Sequence, residues 1–226
     1  MAKSYFITAT DTAAGKTTIS HALLKLAKQQ NLTTLGIKPI ASGCDLTANG
    51  LINDDAMRLL SASSLTVSYT DVNPVALQPA IAPHIALQQL NQKCTVKSLA
   101  EHCNVLLDRQ ADLTIIEGAG GWRVPLNNQE FISDLVMQLN IAVILVVPMK
   151  LGCINHALLT AESINKDGLH LTGWIANCVN RPMECYYENI ETLINVLEAP
   201  CLGEIPYITD GNLNKVPDYL DIKQII

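Results

Sequence analysis

Short apolar runs alternate with amphipathic stretches along the chain. Residues 4–9 predict a buried strand. Residues 16–30 follow with Ile19, Ala22, Leu23, Leu26 and Ala27 at helical spacing on one face. Residues 34–40 predict a second strand, ended by Lys38-Pro39, and residues 54–61 a short helix. Residues 73–83 hold three of the ten prolines and read as an extended loop. Thr95 can cap a helix running to about Arg109, with Val96, Leu99, Ala100, Cys103 and Leu106 apolar.

The second half repeats the pattern. Residues 113–117 predict a strand, 130–139 a helix, and 141–147 the clearest buried strand, near-continuously apolar and β-branched. A helix over 155–167 has Gly168 placed for its C-terminal cap. Then come a strand at 171–176, a helix at 183–197 and a short strand at 202–205. Such alternation predicts an α/β fold with a mainly parallel sheet and helices on both faces. No linker, internal repeat or low-complexity tract interrupts it, so one domain over residues 1–226 is expected.

At 226 residues, 49% hydrophobic and 16% charged, the chain can bury a sizeable core, and disorder is excluded. A net charge of −6 argues against a nucleic-acid surface, while leaving room for a local anion site. The seven cysteines are odd in number and form no C-x-x-C pair, so buried reduced thiols are expected rather than disulfides or zinc. The first residues lack the apolar stretch of a signal peptide, and the longest apolar run, 141–148, is too short for a bilayer. A cytoplasmic protein without a membrane partner is the expectation.

The candidate chemistry sits where strands end. The first strand leads into Ala9-Thr10-Asp11-Thr12-Ala13-Ala14-Gly15-Lys16-Thr17-Thr18, where a helix starts. Gly-Lys-Thr at a strand-to-helix turn is the core of a phosphate-binding loop. Backbone N–H groups and the helix N-terminus face an anion, Lys16 can reach terminal phosphates, and the Thr17 hydroxyl can ligate Mg²⁺. The usual first glycine of such a loop is Thr10 here. Open parallel sheets bind ligands beyond the carboxyl ends of their strands, so Lys38 at the second strand end adds cation density. Glu117 at the third can hold Mg²⁺, and Gly118, Ala119, Gly120 and Gly121 after it let backbone approach phosphate. Asp54 and Asp55 serve equally well as helix caps or as ligands. Gly152-Cys153-Ile154-Asn155-His156 opens a helix and offers a second anion site. His156, on a helix face, reads as structural.

Together these segments resemble the dethiobiotin synthetase family. The resemblance runs from residue 5 to about 208 through Tyr5-Phe6-Ile7-Thr8, Gly15-Lys16-Thr17, Lys38-Pro39-Ile40-Ala41-Ser42-Gly43, Asn73-Pro74, Pro83-His84-Ile85, Glu117-Gly118-Ala119-Gly120-Gly121-Trp122, Gly152-Cys153-Ile154-Asn155-His156, Gly173-Trp174-Ile175-Ala176-Asn177 and Gly203-Glu204-Ile205-Pro206. Gly-Lys-Thr is widespread, whereas the Lys38 and Glu117 segments combined with Gly-Cys-Ile-Asn-His are specific.

The resemblance implies a P-loop-type fold and a homodimer with sites at its interface. It implies one reaction, in which 7,8-diaminononanoate, CO₂ and ATP give dethiobiotin, ADP and phosphate through a carbamate and a carbamic-phosphoric anhydride. By matched position, Ala13, Ala14, Gly15, Lys16, Thr17 and Thr18 would cradle the ATP phosphates. Thr17, Asp55 and Glu117 would hold Mg²⁺. Thr12, Lys16 and Lys38 would surround the carbamate and γ-phosphate. Gly118, Ala119 and Gly120 would help bind nucleotide, and Asn177 with the backbone of Pro206, Tyr207 and Ile208 would read adenine. Ser42 would sit by the diamine, and Gly152, Cys153, Ile154 and Asn155, from this subunit or its partner, would take its carboxylate. Tyr186 and Tyr187 both lie near the position of a carboxylate-binding tyrosine, and Tyr187 is the better match. The chain departs from the family at Ala13, where glutamate is usual, and at Cys178, where aspartate is common.

Two other functions share this fold. A dimeric P-loop ATPase switch that binds a protein partner usually carries a lysine five residues before the loop lysine; Asp11 stands there. A cobyrinate-type ligase carries a glutaminase domain, for which this chain has no room.

Overall fold

A computed structural model describes residues 2–225. The elements in chain order are β1 (Lys3–Ala9), α1 (Lys16–Gln29), β2 (Thr34–Ile37), β3 (Ile40–Ser42), β4 (Asp45–Thr47), β5 (Gly50–Ile52), α2 (Asp54–Ala62), α3 (Tyr69–Val72), β6 (Val75–Leu77), α4 (Pro83–Gln89), α5 (Val96–Leu107), β7 (Leu113–Glu117), α6 (Ile132–Leu139), β8 (Ala142–Pro148), α7 (Cys153–Lys166), β9 (Leu171–Asn177), α8 (Tyr186–Val196) and β10 (Cys201–Ile205), then a 3₁₀ turn at Leu213–Tyr219. Six strands form one sheet in the order β10-β9-β8-β1-β7-β2, and every neighbouring pair is parallel.

Alternation along the strands splits the core. Phe6, Ile116, Val143, Leu145, Val147 and Trp174 face one layer of helices, with Leu99 and Cys103 of α5, Leu135 of α6 and Ala157 of α7. Tyr5, Ile7, Ile115, Ile144, Val146 and Ile175 face the other, with Ile19 and Leu23 of α1 and Leu59 of α2. Apolar residues at consecutive positions of β7 and β8 are thus buried on both faces, as in a covered parallel sheet.

Several expectations need correction. The second strand ends at Ile37, not at residue 40: Pro39 has no N–H for the ladder, and Ile40–Ser42 pairs instead with Val75–Leu77. That second strand lies inside residues 73–83, expected as loop. The helix expected from residue 130 starts at Ile132, because the Glu130 carbonyl accepts from Leu126 N and its carboxylate from Val96 N. The α3 turn, the β4–β5 hairpin, α4 and the 3₁₀ turn are too short for periodicity to reveal. Thr95 does cap α5, its side chain accepting from Ser98 N. All seven cysteines are free; five are buried, Cys201 is partly covered, and Cys185 is exposed, against expectation. No helix among the described residues is long and apolar enough to cross a membrane.

Candidate active site

Three adjacent strands, β1, β7 and β2, deliver the site at their carboxyl ends. After Ala9 the chain turns through the phosphate loop into α1. Ala13 has φ 56° and Gly15 φ 88°, both left-handed. A Cβ on Gly15 would lie 2.1 Å from Nδ2 of Asn177, so glycine is needed for space as well as conformation. Asn177 Nδ2 donates to the Ala14 carbonyl at 2.8 Å, tying the end of β9 to the loop.

Lys16 and Lys38 converge from α1 and β2. Both are buried. Lys16 Nζ donates to the carbonyl of Gly120 at 2.5 Å and of Asp11 at 3.4 Å. Burial, and then the Lys38 charge, pull its pKa down from 10.5 to about 8. Lys38 Nζ donates to Glu117 Oε1 at 2.6 Å and to the Gly118 carbonyl at 2.9 Å, and lies 3.6 Å from Asp55 Oδ2. Thr17 Oγ1 donates to the same Glu117 oxygen at 2.8 Å. Glu117 Oε2 is buried without a partner among the described residues, as is Ser42 Oγ. The cap of α2 is neither Asp54 nor Asp55 but Asn53, whose side chain accepts from Ala56 N. That leaves Asp55 free to face Lys38.

These residues line a cavity of about 920 Å³. Thr12, Ala13, Ala14, Gly15, Lys16, Thr17, Thr18, Lys38, Ser42, Asp55, Glu117, Ala119 and Gly120 all border it. So do Arg58 and an apolar wall of Ala80, Ile81, Ala82 and Pro83, which the sequence reading did not single out. Of these only Pro83 carries a signal along the chain, the family likeness of Pro83-His84-Ile85; nothing local indicates that this later loop folds back over the strand ends. Gly118 contributes its carbonyl to Lys38 rather than bordering the cavity, and a Cβ there would press Phe6 Cζ at 2.8 Å.

Other expected residues lie elsewhere. Asn177, Pro206, Tyr207 and Ile208 do not border the cavity, and neither do Gly152, Cys153, Ile154, Asn155 or Tyr187. Gly152 caps α7 with φ 93°, so that helix starts at Cys153, two residues earlier than its periodicity indicates. Tyr187 is 74% exposed, and its ring packs edge-on against Tyr186, which is buried.

A family model described as an AAA domain matches residues 3–213. The ATP-dependent dethiobiotin synthetase of Cellvibrio japonicus is 49% identical over 224 residues, covering 99% of this chain and 98% of that protein. The synthetase of Pseudomonas aeruginosa strain UCBPP-PA14 is 48% identical over 222 residues, covering 98% and 97%. Among solved structures, a ParA family ATPase from Chlorobium tepidum superposes with TM-score 0.59 at 13% identity, covering 96% of this chain and 89% of that one. The MinD cell division protein of Aquifex aeolicus gives TM-score 0.59 at 14% identity, covering 98% and 88%. The two structures share the fold; the sequence relatives align over nearly the whole chain at 49% and 48% identity.

Proposed function

The chain belongs to the ATP-dependent dethiobiotin synthetase family, and from that membership we propose that it converts 7,8-diaminononanoate, CO₂ and ATP into dethiobiotin, ADP and phosphate in biotin biosynthesis. Residues 1–226 would serve as one ATP-binding domain. The observation that carries the proposal is the meeting of Lys16, Lys38 and Glu117 at three strand ends beside an apolar wall. An anionic triphosphate and carbamate need the cations, and an aliphatic diamine needs the wall.

One amine attacks CO₂ and loses a proton, leaving a carbamate. A carbamate oxygen attacks the γ-phosphorus and ADP departs. The second amine attacks the carbamoyl carbon and loses a proton, and phosphate departs as the cyclic urea closes. Lys38 and Lys16, with the Thr12 hydroxyl, would offset the charge on carbamate and phosphoryl oxygens. The loop Ala13–Thr18 would hold the phosphates through N–H groups, with Ala119 and Gly120 opposite. Ser42, whose buried hydroxyl has no partner, would meet the diamine. Both nucleophiles must reach one carbon, so anchoring the far carboxylate would raise the rate by positioning.

A divalent cation fits the residues present. Thr17 and Glu117 touch, Glu117 keeps a buried oxygen unpartnered, and Asp55 faces them across Lys38. An all-oxygen set with carboxylates suits Mg²⁺. When bound there, Mg²⁺ would neutralise charge on the nucleotide phosphates.

Gly152, Cys153, Ile154, Asn155 and Tyr187 would serve the carboxylate of a partner's substrate, which calls for a homodimer. Their place outside the cavity and the exposure of Leu151, at 91%, support that reading. Asn177 would act on adenine through its oxygen, since its nitrogen is committed to Ala14, and Pro206, Tyr207 and Ile208 would supply backbone contacts.

The deciding experiment supplies diamine, bicarbonate and MgATP and follows product by mass spectrometry. Dethiobiotin formed in step with ADP is expected. ADP without dethiobiotin would point to an ATPase switch and overturn the proposal. Sedimentation at working concentration should show a dimer; a monomer would remove the shared-site reading.

A further inference from the structure

Lys150 follows the end of β8, and its ammonium reaches Oδ2 of Asp11 at 2.5 Å across 139 residues of sequence. Asp11 opens the phosphate loop and borders the cavity. Its other oxygen, Oδ1, accepts from the N–H of Thr12 at 2.7 Å, and its carbonyl accepts from Lys16 Nζ. Each carboxylate oxygen thus has its own partner, one from the loop and one from Lys150.

A carboxylate beside a triphosphate site is electrostatically adverse. Asp11 is firmly ionised, because the Lys150 hydrogen bond, against a smaller effect of burial, holds its pKa below the usual carboxylate range. Its charge would repel phosphate unless a cation masks it. At the same time its Oδ1 organises the loop where Ala13 and Gly15 take left-handed conformations. The loop therefore uses Asp11 as a structural acceptor while its charge needs cancelling.

We propose that Lys150 is a positioning residue for the nucleotide: it masks the Asp11 carboxylate and holds it turned toward Thr12 N–H, so that the loop accepts the phosphates. The inference rests on the ATP-binding reading of the site. Both side chains are nearly half exposed, 43% and 46%, so the pair adds little to folding stability. Its effect falls on affinity for an anion nearby.

The test is calorimetric titration with Mg²⁺ and the β,γ-imido analogue of ATP at about 0.1 M salt, where charges this close are incompletely screened. K150M should bind about tenfold more weakly with its melting temperature unchanged, and K150R should bind like wild type. D11N should bind at least as well as wild type, because asparagine still accepts from Thr12 N–H. D11N/K150M should recover most of the affinity lost in K150M, since no charge is left to mask. K150M binding like wild type, or D11N/K150M as weak as K150M, would overturn the inference alone. A wild-type protein that binds no nucleotide would overturn the reading of the site and this inference with it.

Discussion

Lys38 Nζ and Glu117 Oε1 stand 2.6 Å apart at the centre of the site, with side chains 5% and 0% exposed, so both charges are largely shielded from water. Breaking such a pair from one side strands the other charge, which typically costs about 3–5 kcal/mol, whereas removing both charges costs less. K38Q should therefore melt well below wild type, and K38Q/E117Q above K38Q. Turnover of K38Q at saturating ATP should fall more than its ATP affinity does. Normal turnover at saturation, with only binding impaired, would take Lys38 out of the reaction.

Lys16 makes stability and binding respond oppositely to alkali. Its pKa is 10.5 when free and about 8 when folded, lowered mainly by burial. Between those values the unfolded chain holds more protons, so this residue adds stability as pH rises from about 8 towards 10.5. Phosphate would favour the charged form, so nucleotide binding at pH 8 should take up protons. Titration in two buffers of different ionisation enthalpy reads that uptake, which K16Q should abolish. K16Q should also lower turnover on the order of a hundredfold; wild-type kinetics would remove Lys16 from the site.

Gly15 answers to two constraints, and they can be separated. G15A should abolish tight nucleotide binding, because its Cβ would overlap Asn177 Nδ2 and its φ is 88°. G15A/N177A relieves the overlap but leaves the left-handed strain, on the order of 1 kcal/mol. Partial recovery of thermal stability in the double variant is expected. No recovery would show that conformation alone demands the glycine.

E117Q and D55N should each raise the Mg²⁺ concentration needed for half-maximal product formation, E117Q the more, since Glu117 touches Thr17 and Asp55 does not. An unchanged metal titration for either variant would exclude that residue as a ligand.

Much of this was legible along the chain. Residues 113–117 fold as the strand their apolar run indicates, and Thr95 caps the helix it precedes. Gly-Lys-Thr opens α1, and the specific segments around Lys38 and Glu117 carry the family likeness without any fold. Where a local signal has two outcomes, only the fold decides between them. Residues 34–40 place Leu35, Ile37 and Ile40 around Lys38-Pro39, and Pro39 interrupts the ladder. Asp54 and Asp55 both suit a helix start, and Asn53 takes the cap.

What the sequence by itself determined is what nearest neighbours decide: the two- and 3.6-residue periods, the caps, and the strand-to-helix turn at Lys16. Only the tertiary structure decided that Lys38 meets Glu117, 79 residues away, that Lys16 meets Gly120, and that Lys150 meets Asp11. Those meetings follow from strand order. With β7 inserted between β1 and β2, three strand ends open onto one space, and β8 on the other side of β1 brings Lys150 to Asp11. Periodicity says that a strand is buried but not beside which other strand, because the apolar faces of β1, β2, β7 and β8 are chemically alike. Their order is settled by how the helices pack over the whole sheet.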